Sequence, residues 1–150
     1  MKNFFFAVCS LVCIVAGCDP GADNEYYSYK FLKNDYEQVT IVASVDVQEV
    51  MAVDTIGDSA AGYVRYGIRC QVIEPFKGEV NAGQPLAYYS VAEKDYNPEN
   101  YRGNKVVFLS KAFDKQKKEW VLTELENSSR PATKAVTKTM RKIKGQTEGK

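Results

Sequence analysis

The sequence predicts a mainly β domain, a five-stranded antiparallel barrel with a C-terminal packing helix, after a signal peptide and a short tether. Three observations predict it. Apolar and polar residues alternate with period two in two long runs that begin at Val39 and Val64. Shorter β-rich runs then follow at regular spacing, and from Ala132 to Ile143 the apolar period becomes helical. Closing strands of this kind into a barrel removes exposed sheet edges.

The chain opens on an export signal. Lys2 and the amino terminus supply positive charge, and Phe4 to Ala16 form an apolar and small-residue run of 13 residues. A membrane-spanning helix needs about 20 apolar residues, so this run is read as the core of a signal peptide. Val15-Ala16-Gly17-Cys18 then resembles the lipobox of bacterial lipoproteins, in which diacylglycerol joins the cysteine thiol, cleavage precedes the cysteine and the new amine is acylated. The resemblance implies a signal peptide over 1–17, cleavage between Gly17 and Cys18, and a membrane anchor at lipidated Cys18. Each buried methylene contributes about 0.8 kcal/mol and stable anchoring takes two or more chains, which a triacylated Cys18 supplies. The implied location is the cell envelope, facing the periplasm or the exterior, with Asp19 favouring the inner membrane.

Removing residues 1–17 leaves 133 residues, one domain with enough chain for a real core. That mature chain carries 19 basic and 19 acidic residues, so net charge gives no argument for nucleic acid as a partner. Cys9 and Cys13 leave with the signal and Cys18 is acylated, so Cys70 has no partner and no disulfide framework is expected.

Residues 18–30 read as the lipidated cysteine and a flexible tether, because Asp19-Pro20-Gly21 and the polar residues after it favour turns. Tyr26, Tyr27 and Tyr29 are expected to pack the start of the domain, and Phe31, Leu32 and Tyr36 to add one or two helical turns. In the first strand Val39, Ile41, Ala43, Val45 and Val47 share a face. Residues 54–62 carry hairpin-loop chemistry, and the second strand places Val64, Tyr66, Ile68, Cys70 and Val72 on one face. Cys70 is therefore expected in the core, as a small hydrophobe. Pro75 is expected to end that strand. Leu86 to Val91, Lys105 to Ser110 and Trp120 to Leu125 supply the remaining three, with Asp114 to Lys118 a polar turn whose charges solvate it. Ser128 or Ser129 is expected to cap the helix with Pro131 in its first turn, and Ala132, Val136, Met140 and Ile143 to form its buried stripe.

Three segments carry a family resemblance: Val39 to Val50, Ile68 to Gly78 with its Glu-Pro-Phe-Lys-Gly ending, and Tyr101-Arg102-Gly103 running into the Val106-Val107-Phe108-Leu109 strand. Together they resemble the netrin-like, or tissue-inhibitor-like, branch of OB folds, over residues 39–143. The resemblance implies an OB-like barrel with a C-terminal helix packed on it. The extracellular inhibitors of that group use disulfides and an unmodified N-terminal cysteine. Both are missing here, so their inhibitory mode is not carried over.

The chain contains no histidine, which removes the usual general base and the commonest metal ligand. Phosphate-binding glycine motifs are absent as well. No catalytic residue, metal site or cofactor is assigned; Glu93, Asp95 and Glu99 in the 92–104 loop are read as solvated charges. The same loop supplies the candidate binding residues, Tyr96, Asn97, Tyr101 and Arg102, because it mixes aromatics, amides and an arginine on a long connection. Lys134, Lys138, Arg141 and Lys142 on the basic helix are candidate contacts for an anionic surface beside the anchor. The expected function is a lipid-anchored, non-enzymatic binding module for an envelope protein or polymer. The alternative is an inhibitor or immunity-type lipoprotein that blocks an envelope hydrolase or toxin.

Overall fold

The computed structural model describes residues 21–57 and 62–149, with side chains from residue 28. The lipobox, the cleavage point and Asp19 lie outside the described residues. In chain order the elements are α1 (Gly21–Gln38), β1 (Ile41–Ile56), β2 (Tyr63–Lys77), β3 (Pro85–Glu93), a single 3-10 turn (Pro98–Tyr101), β4 (Gly103–Asp114), β5 (Glu119–Glu124), β6 (Arg130–Pro131) and α2 (Lys134–Glu148). Strands take up 60 of the 125 described residues, which makes the fold mainly β.

Five strands close into an OB-like ring in the order β1-β2-β3-β5-β4, with β4 returning to β1. Directions cannot alternate all the way round an odd ring, so one seam must be parallel. It falls between β3 and β5, where Tyr89 pairs with Thr123; every other seam of the ring is antiparallel, as expected. β6 adds a two-residue antiparallel strand outside the ring, against Lys105 and Val106 of β4.

Two cores follow from the alternation. The barrel interior holds Ala43, Val45 and Val47 of β1, Ile68, Cys70 and Val72 of β2, Leu86 and Tyr88 of β3, and Val107 and Leu109 of β4. Val42, Val106 and Phe108, one position out of phase, and Phe76, turned over by the register shifts that follow Val72 in β2, face outward and are covered by Leu32 and Tyr36 of α1 and by Met140 and Ile143 of α2. That is why Ile41 to Ala43 and Val106 to Leu109 read as unbroken apolar runs: both faces are buried there. Val39, expected with the barrel face, joins the outer core. It precedes β1, so the α1–β1 turn rather than the pleat sets its direction.

Four local expectations are corrected. Residues 21–30 are helical rather than a flexible tether, because α1 has a partner: Tyr29, Leu32 and Tyr36 fall on one stripe and meet α2 and the sheet. The Tyr29 hydroxyl donates to Gln146 Oε1, the Tyr36 hydroxyl donates to the Phe76 carbonyl at 3.0 Å, and Lys77 Nζ donates to the Tyr36 carbonyl at 2.6 Å. Pro75 does not end β2; it pairs with Ala43 at a register shift, where its missing donor is tolerated.

The cap of α2 is Thr133, whose hydroxyl accepts from the Val136 N–H at 3.3 Å. Ser128 instead donates to the Leu125 carbonyl at 2.7 Å, and the Ser129 N–H goes to Glu124 Oε1, so both close the turn after β5. Pro131 lies in β6 rather than in the helix. Finally, Asp114 is not a solvated turn residue. It is buried at the start of the β4–β5 turn, where its Oδ1 accepts from the N–H groups of Gln116 and Lys117 at 2.9 and 3.1 Å.

Candidate functional site

The helices cover the start of β1, the end of β2 and the start of β4. The opposite ends of the same strands are left open, and there the β1–β2 and β4–β5 hairpins stand on either side of β3. Between them lies a cleft of about 800 Å3. Its floor follows from cross-strand registry: Asp54 pairs with Arg65, Arg65 with Val91, and Tyr89 with Thr123, so their outward side chains gather on one surface.

Arg65 is the central charge. Its Nε donates to Asp54 Oδ1 at 3.0 Å, its Nη2 meets Asp54 Oδ2, and its Nη1 donates to Asp114 Oδ2 at 3.2 Å. Asp54 pushes the guanidinium pKa upward. The N–H groups of Lys117 and Gln116, with Arg65, hold Asp114 below its ordinary carboxylate range. The Arg65 guanidinium also lies 5.2 Å from the centre of the Tyr89 ring, and Lys117 lies 4.8 Å from the same ring while donating to its hydroxyl. Tyr89 is thus held by two cations, one of which reaches across from the β4–β5 turn.

Apolar side chains wall the cleft and remain open to solvent. Ile56, Tyr63, Val91 and Phe113 line it and are all exposed. Trp120, on the strand partner of Phe113, is 69% exposed and meets the Phe113 ring edge-on at 5.5 Å. These exposed apolar side chains are gathered along one cleft rather than scattered singly over the surface.

A second hollow of about 540 Å3 adjoins the first at the end of the barrel. Glu124 stands there, with Oε1 accepting from Ser129 and Oε2 without a protein partner. Glu93, Asp95 and Glu126 share the lining.

The expected loop residues divide. Tyr101 is buried, with its ring 5.6 Å from Tyr66 and 5.1 Å from Tyr96 and its hydroxyl 2.9 Å from Ser90 Oγ. Burial pushes that hydroxyl up to about 12. Asn97 accepts from the Glu99 N–H and caps the 3-10 turn. Arg102 pairs with Glu99 at 2.7 Å and donates to the Gln48 carbonyl at 3.2 Å. Tyr96 is exposed and lines the second hollow with Tyr101. Asn97 and Arg102 therefore hold the loop in shape, while Tyr96 faces the hollow.

On α2, Lys134, Lys138, Arg141 and Lys142 are exposed on the side of the helix away from Met140 and Ile143. Arg141 forks onto Glu74, with Nε at 2.8 Å and Nη2 at 2.7 Å, and lowers that carboxyl's pKa. Lys142 sits 5.2 Å over the Tyr29 ring. Lys134 and Lys138 make no ion pair among the described residues.

Sequence reasoning missed Asp54, Arg65, Tyr89, Phe113 and Trp120. The available signal was two aromatics, Phe113 and Trp120, flanking a short charged turn where a solvated hairpin has no use for them.

The chemistry open to the cleft is narrow. Among the described residues no three metal-binding side chains converge. Cys70 is buried, and desolvation pushes its thiol up to about 12, so it offers no thiolate. Arg65 is already shared by two carboxylates. What the site supplies is desolvation of apolar groups beside fixed charge. No family model matches the chain, and no curated protein matches it.

Proposed function

We propose that the chain is a lipid-anchored cell-envelope lipoprotein whose OB-like barrel acts as a non-enzymatic binding module. The observation that carries this reading is the open cleft between the two hairpins. Its walls are exposed apolar side chains, and its central charges are paired with one another rather than poised for a reaction. The Val15-Ala16-Gly17-Cys18 sequence supports the anchor.

Two measurements test the two halves. Cys18→Ser is expected to move the protein from the membrane fraction to the soluble fraction; a native polypeptide that begins at Met1 with an unmodified thiol overturns the anchor. A photo-crosslinker in place of Tyr63 is expected to capture one stoichiometric envelope component, and Val91→Asp to abolish that capture. Equal capture by the Val91→Asp protein overturns the cleft as the binding site.

The Phe113 and Trp120 pair on the projecting β4–β5 hairpin favours a second reading, an inhibitor or immunity-type lipoprotein that inserts this hairpin into an envelope hydrolase or toxin. Under it, the captured component is one enzyme whose activity falls on binding and returns with Trp120→Ala.

A further inference from the structure

The two adjoining hollows differ in chemistry, and together they restrict what fills them. The larger offers Ile56, Val91, Phe113 and Val121 as an apolar wall. The smaller is lined by Glu93, Asp95, Glu124 and Glu126 beside the rings of Tyr63 and Tyr96, and no described lysine or arginine lines it. Tyr63, Val91, Glu124 and Glu126 belong to both, so one ligand can run from the first into the second.

An apolar group gains by leaving water in the larger hollow. A cation in the smaller one meets carboxylates and aromatic faces, two attractions that add where water is partly excluded. An anion is opposed by the four carboxylates of the smaller hollow. Of the two cations that line the larger one, Arg65 is committed to Asp54 and Asp114, which leaves only Lys115 of the β4–β5 turn at its edge. An extended polypeptide places same-side groups about 7 Å apart, which suits two contiguous hollows of unlike character.

We propose that the groove receives an extended segment of a partner protein in which an apolar side chain is closely followed by a lysine or arginine. This rests on the binding reading above and names the chemistry of the partner.

The probe is a set of short acetylated peptide amides: Gly-Phe-Gly-Lys-Gly, the same peptide with Glu for Lys, and the same with Ser for Phe. Each is titrated into the isotope-labelled full chain in detergent micelles and followed by amide shifts. The Phe and Lys peptide is expected to shift amides around Tyr63, Val91, Glu124 and Glu126 with a Kd of about 1 mM or tighter, and the other two to bind about tenfold more weakly. The triple variant Glu93→Gln, Asp95→Asn, Glu126→Gln changes only exposed side chains. It is expected to bring the lysine peptide down to the level of the glutamate one. No shift with the lysine peptide at about 5 mM, well above that Kd, overturns the inference. So do equal shifts with the glutamate peptide, or indifference to the triple variant. If Val91→Asp abolishes native capture while the peptides behave alike, the binding reading stands and the basic segment falls. If capture ignores Val91→Asp, the binding reading itself falls.

Discussion

At the scale of single residues, Asp114 ties the turn to the cleft. Its side chain is 4% exposed, with one oxygen on two turn N–H groups and the other on Arg65. Its pKa is depressed from an ordinary 3.8. A carboxyl with a depressed folded-state pKa adds stability above its unfolded value, and loses it as pH falls through the folded one. Asp114→Asn keeps an oxygen for the turn but removes the charge facing Arg65. The variant is expected to melt lower than the parent at neutral pH, with the difference closing as pH falls below 3.8 and through the depressed folded-state value. Thermal melts across that range check it, and a constant difference refutes the charge assignment.

A glycine pair gives a second residue-scale outcome with its own control. Gly78 and Gly83 both have positive φ, +87° and +81°. A Cβ on Gly78 would stand 2.5 Å from the Thr40 carbonyl oxygen, whereas one on Gly83 meets nothing within 4 Å. Gly83→Ala is expected to cost about 1–2 kcal/mol, the price of left-handed backbone for an alanine. Gly78→Ala bears that same strain plus a backbone clash, so its urea midpoint should fall clearly further. Equal losses would mean that the junction between α1 and β1 yields freely.

At the scale of elements, the helices are held to the barrel by few but deeply buried side chains. Met140 is fully buried between α1, α2 and the outer face of the sheet. Met140→Ala is expected to cost about 2–5 kcal/mol by leaving a cavity that the sheet cannot collapse to fill. Chemical denaturation reads the loss directly. This packing also explains what the sequence made legible and what it hid. Val64, Tyr66, Ile68, Cys70 and Val72 declare β2 by simple alternation, and Met140 and Ile143 declare α2 by helical spacing. Of α1 only the second half was legible, as the helical turns expected at Phe31, Leu32 and Tyr36; the rest stayed hidden because its stripe is only Tyr29, Leu32 and Tyr36, sparse among polar residues, and its partner α2 is more than 100 residues away in sequence. The cleft stayed hidden for a related reason: Asp54, Arg65 and Tyr89 come from three strands, and only registry brings them together. The 92–104 loop misled because aromatic and amide residues suit binding and loop packing alike, and Tyr101 is spent on packing.

At the scale of the whole molecule, the two ends differ. Val42 of β1 lies under the helices, while Asp54, twelve residues further along the same strand, lines the cleft. α1 begins at Gly21, close behind Cys18 in sequence, and α2 packs against α1. Under the anchored reading, the helical end with Lys134, Lys138 and Lys142 therefore lies toward the bilayer. Each cation near an anionic surface adds about 1 kcal/mol to that orientation. The cleft then opens toward the aqueous side, where a partner reaches it. Trp120 reports this without any label, since it is the single tryptophan in the sequence and stands on the cleft side, 69% exposed. In vesicles carrying the native lipoprotein, iodide is expected to quench its fluorescence strongly, and lipids brominated on their acyl chains to leave it unchanged. Quenching by the brominated lipids would place the β4–β5 hairpin in the membrane, and the cleft would then be a lipid-facing surface instead of a docking site for protein.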